Sequence, residues 1–67
     1  MYLIHMNSRD VIRALEQAGW KLVRVAGSHH QFKHPDSPWV VTVVHPLKDV
    51  PVGTLRSIER RSGVKLR

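Results

Sequence analysis

The sequence lacks cysteine altogether and is poor in acidic side chains, with five Asp and Glu against eleven Lys and Arg. The lack of cysteine excludes disulfides, thiolate zinc sites and cysteine nucleophiles, and it is compatible with the reducing cytoplasm in which we expect the protein to be found. The apolar start, Met1-Tyr2-Leu3-Ile4-His5-Met6, is too short for a signal peptide or a membrane span, so we expect no membrane partner.

The excess of basic residues gives a formal net charge of +6 and a calculated pI of about 10.9. This charge favours a polyanionic partner, nucleic acid first, or an acidic protein that covers the same surface. A chain of 67 residues is expected to form one domain, 1–67, which buries only about 60% of the surface of its unfolded chain. We therefore expect a functional site in a shallow groove or on the surface. Residues 1–5 are interpreted as a leader outside the core, because a second methionine, Met6, directly precedes the first helix signal.

Turn residues and hydrophobic spacing divide the chain into five elements. Asn7 or Ser8 can cap a first helix, and Gly19 ends it, because glycine enters the left-handed conformation without steric cost. The predicted elements are a helix over Ser8–Ala18, strands over Trp20–Val25, His29–His34 and Trp39–Val44, and a helix from Val52 or Thr54 to Ser62. The third strand is apolar on both faces, as expected of a central or well-covered strand. This order predicts an α+β fold in which two helices cover one face of a three-stranded antiparallel sheet.

The stretch Gly27-Ser28-His29-His30-Gln31-Phe32 places two adjacent imidazoles directly after a glycine turn. Successive side chains of a strand point to opposite faces. If Phe32 points into the core, His30 shares its face, whereas His29 and Lys33 lie on the open face. His29 is therefore the candidate catalytic residue, and His30 is a secondary, supporting one.

Histidine is suited to proton transfer near neutral pH, because free imidazole titrates near 6.5. In RNA the 2′-hydroxyl lies beside the scissile phosphate, so an enzyme that deprotonates it and neutralises the phosphate needs no metal or other cofactor. Gly27 and Ser28 could let a phosphate approach turn amides and a hydroxyl. Lys33 and its basic neighbours, Lys21 and Arg24, would bind RNA. One or two histidines with a few cations could therefore supply a metal-independent ribonuclease.

Other interpretations of the same residues remain open at this stage. A glycine turn is equally typical of an ordinary hairpin, and a strand histidine is more often structural than catalytic. The scaffold could therefore be a non-catalytic RNA-binding module. A metal-binding interaction protein is a third possibility, because four histidines lie within a short span, but zinc sites usually add thiolate or carboxylate ligands. His34 and His45, each followed by proline, could use their ring nitrogens locally, and both tryptophans, Trp20 and Trp39, are expected in the core.

Several ordered motifs resemble one known family. They are Gly-Trp-Lys-Leu-Val-Arg at 19–24, Gly-Ser-His-His-Gln-Phe at 27–32, Lys-His-Pro at 33–35, Val-Thr-Val-Val-His-Pro at 41–46 and Pro-Val-Gly-Thr-Leu-Arg-Ser-Ile at 51–58. Together they resemble the HicA toxins of bacterial toxin–antitoxin modules over about 6–66. The resemblance implies a fold similar to the double-stranded-RNA-binding domain, mRNA interferase activity, and a HicB-type antitoxin that masks the active site. The Gly-Ser-His motif of the family places its catalytic histidine on His29, and a one-residue shift in alignment leaves His30 as the alternative.

Overall fold

A computed structural model describes residues 5–67 of the chain. Its elements are helix α1 (Ser8–Gln17), strands β1 (Lys21–Ala26), β2 (His29–Lys33) and β3 (Val41–Val44), and helix α2 (Val52–Ser62). The predicted order of helix, three strands and helix is confirmed. Residues 1–4 of the predicted leader lie outside the described part of the chain. His5 is exposed, and its Nδ1 lies 3.2 Å from the Asp49 carboxylate.

Local signals explain where α1 begins and ends. The Asn7 side chain accepts a hydrogen bond from the Asp10 N–H at 2.9 Å, which satisfies one amide of the first turn. The helix ends at Gln17, one residue earlier than predicted, with Ala18 as its C-cap. Gly19 then adopts φ 95°, and a Cβ there would come within 2.9 Å of the His34 ring. Both the backbone conformation and the space at this position therefore require glycine.

The three strands form an antiparallel meander in the order β1-β2-β3. In β2, Phe32 pairs with Leu22 on one side and Val41 on the other, and these three side chains share the helix-facing side of the sheet. The register of β1 shifts between Leu22 and Arg24, so Val23 is an extra residue that has no partner in β2. This β-bulge explains why the apolar alternation of β1 is irregular.

The structure overturns two expectations about the third strand. Among the described strands β3 lies at the edge of the sheet, and it is neither central nor well covered, because only its helix-facing residues, Val41 and Val43, are buried. The strand begins at Val41, two residues later than predicted, and Trp39 lies before it with 52% of its surface exposed. The prediction that Trp39 belongs to the core is therefore wrong. Trp20, by contrast, is 3% exposed and confirms the prediction for its position.

The core lies between the helices and the helix-facing side of the sheet. Among residues 5–67, its buried apolar side chains come from both helices, β2, β3 and the adjoining loops: Val11, Leu15, Trp20, Phe32, Val41, Val43, Val50, Leu55 and Ile58. β1 contributes none of them, and its helix-facing Leu22 and Val25 stay about half exposed. The helices thus cover β2 and β3, and they leave the far edge of the hairpin open.

The C-terminal segment is fastened to α2 by a carboxylate. Gly63 ends the helix with φ 72°, as predicted, and the chain then turns back along it. Glu59 accepts hydrogen bonds from the Leu66 N–H at 2.8 Å and from the Arg67 guanidinium at 3.0 Å. The Leu66 amide, followed by Arg67, lowers the pKa of the Glu59 carboxyl below its ordinary value. Within residues 5–67, no helix is long and apolar enough to cross a membrane.

Candidate active site

The turn between β1 and β2 consists of Gly27 and Ser28, because Ala26 and His29 already form a pair of the ladder. Gly27 adopts φ 59°, and a Cβ at this position would meet no atom within 4 Å. The requirement for glycine is therefore conformational, as in other two-residue hairpins. The Ser28 carbonyl accepts the His45 N–H at 2.8 Å, which ties the turn to the end of β3.

His29 is the first residue of β2 and lies on the open face of the sheet. It pairs with Ala26 of β1 and Val44 of β3, and it is exposed, as the alternation about the buried Phe32 predicts. The small side chain of Ala26 leaves the imidazole accessible from that side. The ring can therefore approach a large substrate such as a polynucleotide, which a shallow surface accommodates.

The predicted RNA-binding cations share the open face with His29 but lie at different distances from it. Arg24 pairs with Gln31, two residues along β2 from His29, whereas Lys21 and Lys33 form a pair at the far end of the hairpin. Lys33 is four residues from His29, which corresponds to about 13 Å along a strand. Arg24 is thus the nearest of the three to the imidazole along the sheet.

His30 lies on the opposite, helix-facing side of the sheet and is half-buried. Its Nδ1 is 3.3 Å from the Ser28 carbonyl oxygen. Because a carbonyl can only accept, we assign the hydrogen of the neutral ring to Nδ1, which leaves Nε2 with a free lone pair. The ring also meets the His45 ring edge to face, with centroids 5.0 Å apart and an interplanar angle of 87°. His30 is therefore an oriented imidazole, separated from His29 by the sheet.

His45 is held by a buried serine that sequence reasoning considered only as a helix cap. Ser8 is 2% exposed; its Oγ accepts the Leu47 N–H at 2.8 Å and lies 2.6 Å from His45 Nδ1. Since the Ser8 oxygen already accepts from Leu47, we assign its hydroxyl as the donor to His45 Nδ1, which places the hydrogen of the neutral His45 ring on Nε2. The prediction that His45 uses its ring locally is wrong, because Ser8 is 37 positions away in sequence. No local pattern in the sequence could have linked them.

His34 behaves as the sequence predicts for a turn residue. Its Nδ1 accepts the Asp36 N–H at 3.0 Å, and its ring packs at a tilt against Trp20 with centroids 5.4 Å apart. Since His29 lies on the face away from His30, the histidines do not converge. Across the described residues 5–67, no three His, Asp or Glu side chains are grouped so that they could hold a metal ion.

Comparisons with known proteins agree with this fold. The model of a family described as the HicA toxin of bacterial toxin–antitoxin systems matches residues 8–64. One chain of a solved structure described as a HicA3 and HicB3 toxin-antitoxin complex is 33% identical, with a TM-score of 0.82; the match covers 92% of this chain and 100% of that one. No curated protein sequence matches the chain. The family match extends over most of the chain, from the first turn of α1 to the segment after α2, and we conclude that the chain belongs to the HicA toxin family.

Proposed function

We propose that the protein is the toxin of a toxin–antitoxin pair and acts as a metal-independent endoribonuclease that cleaves mRNA, with His29 as general acid and base. The observation that carries the proposal is the position of His29. It is an exposed imidazole on the open, basic face of the sheet, in a chain of the HicA family. RNA is the substrate that supplies its own nucleophile to such a site, because it has a 2′-hydroxyl.

The proposed reaction is an internal transesterification. Neutral His29 takes the proton of the 2′-hydroxyl while that oxygen forms a bond to phosphorus. The bond between phosphorus and the 5′-oxygen breaks, and the protonated imidazole or a water molecule returns a proton to the leaving 5′-oxygen. The products are a 2′,3′-cyclic phosphate and a 5′-hydroxyl end. A positioned acid or base of this kind contributes about 10²–10⁴-fold in rate.

The residues around His29 have distinct roles in this proposal. Gly27 and Ser28 form the tight turn that precedes His29, and in this proposal their amides would donate hydrogen bonds to a phosphate. Arg24 would neutralise charge near the scissile phosphate, and Lys21 and Lys33 would bind phosphates farther along the strand. His30 supports the turn through its bond to the Ser28 carbonyl.

The test compares cleavage of a single-stranded RNA in EDTA by the parent protein and by the His29→Ala and His30→Ala variants. We expect His29→Ala to slow cleavage by about 10²–10⁴-fold while the thermal unfolding curve stays close to that of the parent. The control is His5→Ala, which removes an exposed imidazole outside the sheet. A folded His29→Ala protein that cleaves as fast as the parent would refute the proposal for His29. Loss of activity in His30→Ala alone would assign the proton transfer to the helix-facing ring.

A non-catalytic RNA-binding module is the second candidate, because the open face carries Arg24, Lys21 and Lys33 whether or not cleavage occurs. It predicts salt-dependent binding without products, and binding that responds to the cations more than to His29. The same RNA with 2′-O-methyl groups serves as the uncleavable ligand. Equal persistence of the methylated and unmethylated strands during incubation with the parent protein would favour this candidate.

We also propose a HicB-type antitoxin as the protein partner. Within the described residues 5–67 the open face is basic and no helix covers it, so an acidic surface that covers His29 would exclude RNA by charge and by space. An equimolar cognate antitoxin is then expected to suppress cleavage, and the suppression should weaken as salt is raised. Full ribonuclease activity in the saturated complex would contradict masking.

A further inference from the structure

An exposed tryptophan lies beside two arginines of α2, at the edge of the sheet away from β1. Trp39 is 52% exposed, and its backbone N–H donates to the Ser37 Oγ at 3.1 Å, which fixes the chain before β3. The guanidinium carbon of Arg61, in α2, is 5.3 Å from the centroid of the Trp39 ring. This cation–π contact orients the indole without covering it. Large aromatic surface left in water at a fixed orientation is typical of a binding site.

Two adjoining hollows extend from this tryptophan along the outer edge of β3. The first has a volume of about 330 Å³ and is lined by Trp39, Ser57, Arg60 and Arg61. The second, of about 200 Å³, continues between β3 and α2 and shares Ser57 and Arg61 with the first. The first is at the small end of the range for ligand pockets, about 300–1,000 Å³, and suits one planar group with a polar attachment.

The charge of this surface is positive and lacks an acidic partner within α2. Glu59 is the only acidic residue of that helix, and its carboxylate is already occupied by Leu66 and Arg67. The positive charges of Arg60 and Arg61 are therefore available to an anionic ligand. A flat aromatic ring, guanidinium groups and a serine hydroxyl are the groups that bind a base, a phosphate and a ribose.

We propose that Trp39, Ser57, Arg60 and Arg61 form a subsite for a single-stranded RNA nucleotide, remote from the cleavage site. The base stacks on the exposed part of the indole, and the arginines contact the adjoining phosphates. Single-stranded RNA is favoured over a duplex, because a side chain can stack only on bases that are not stacked within a helix. The inference rests on the proposed function for RNA as the ligand.

The register of the sheet gives the distance between this subsite and the histidine. Val44 pairs with His29, and Trp39 precedes Val44 by five residues. Residues 39 and 40 lie before β3, so at about 3.4 Å per extended residue the separation along the strand is at most about 17 Å. The bases of a single strand need not stack on one another, so its backbone can extend to cover this length in several nucleotides. A strand of that length could reach from His29 to Trp39, and a dinucleotide could not.

The test measures binding of a 2′-O-methyl single-stranded decanucleotide, which the protein cannot cleave, to the parent and to variants. We expect Trp39→Ala to weaken binding by about 5- to 150-fold and Trp39→Phe to retain most of the affinity. Arg61→Ala should reduce the slope of log K against log salt by about 0.7 for each lost phosphate contact. The matched control is Arg13→Ala, which removes an exposed arginine from α1. Unfolding curves establish that each variant is folded.

A cleavage experiment separates this inference from the proposed function. With a ten-nucleotide RNA, Trp39→Ala should raise KM and leave kcat nearly unchanged, whereas cleavage of a dinucleotide should not respond to the substitution. Normal decanucleotide binding by the Trp39 and Arg61 variants, with cleavage intact, overturns the subsite and leaves the ribonuclease standing. If the parent protein cleaves no RNA but its binding of the decanucleotide still depends on Trp39, the subsite is supported and the proposed ribonuclease activity is refuted. If Trp39→Ala weakens only the antitoxin complex, the surface belongs to a protein partner and the RNA subsite is wrong.

Discussion

Replacing Ser8 with alanine tests whether one buried hydroxyl joins α1 to the loop after β3. The Oγ atom accepts the Leu47 N–H and donates to His45 Nδ1, and the Ser8 backbone N–H also donates to the Leu47 carbonyl at 2.8 Å. Ser8→Ala removes the two side-chain bonds and leaves a half-buried amide and a half-buried ring nitrogen without their partner. A buried polar group left unpaired costs about 1–3 kcal/mol. Water can reach part of this site, so we expect a total loss of about 2–3 kcal/mol.

This loss is large relative to the stability of so short a chain. At about 0.05–0.15 kcal/mol per residue, the free energy of unfolding is of the order of 3–10 kcal/mol. For a domain of this size each kcal/mol shifts the Tm by about 4–8 °C, so Ser8→Ala should lower it by about 8–24 °C. Thermal and urea unfolding followed by circular dichroism measure both quantities. The control is Ser57→Ala, an exposed serine of α2, which should change the free energy of unfolding by less than about 0.5 kcal/mol.

A double-mutant cycle with His45→Phe separates the two bonds of Ser8. Phenylalanine keeps an aromatic ring at position 45 but cannot accept a hydrogen bond from the Ser8 hydroxyl. The coupling energy between the two substitutions therefore reports the Ser8–His45 hydrogen bond. Coupled neighbours differ from additivity by about 0.5–3 kcal/mol. The effect of Ser8→Ala that remains in the His45→Phe protein belongs to the Leu47 amide. A Tm for Ser8→Ala within about 2 °C of the parent would refute the reasoning.

Two further predictions concern the glycines and the C-terminal segment. Gly19→Ala should destabilise the protein more than Gly27→Ala. Both residues have a positive φ, which costs alanine about 1–2 kcal/mol, but a Cβ on Gly19 would also lie 2.9 Å from the His34 ring. Equal losses of unfolding free energy in urea would refute the steric contribution. Glu59→Gln should reduce stability at pH 7, because the Leu66 amide lowers the pKa of this carboxyl in the folded state. The difference in stability between the parent and Glu59→Gln should shrink as the pH falls below the ordinary glutamate pKa of 4.5, and it should vanish below the lower pKa of the folded state. A difference in Tm that does not change with pH would contradict this prediction.

The elements of this fold were predictable because their signals are local. Asn7 caps α1, Gly19 and Gly63 end the two helices, and the buried Phe32 orients the alternating side chains of β2. Each of these depends on the preference of one residue for one conformation or one environment. The face of His29 followed from Phe32 alone, without knowledge of which strands lie beside β2.

The features that sequence reasoning missed depend on contacts between distant segments. The apolar run at 39–44 is typical of a central or well-covered strand, but where a strand lies in a sheet depends on its neighbours, and among the described strands β3 pairs with β2 alone. Trp39 is exposed because it lies before the first ladder residue of β3, Val41, and Arg61 of α2 contacts its ring there. The contact between Ser8 and His45 likewise joins the start of α1 to the loop after β3, 37 positions away in the sequence. The free edge of β3 is what makes room for the hollows beside Trp39.

The β-bulge at Val23 gives β1 one residue more than the ladder needs. Leu22 pairs with Phe32 and Arg24 pairs with Gln31, so two consecutive pairs of the ladder are kept although Val23 lies between them in β1. Because Val23 has no partner in β2, a strand without it would still place Leu22 on the helix-facing side and Arg24 on the open face. A relative whose β1 is one residue shorter at this point should therefore present its arginine on the same face of the sheet.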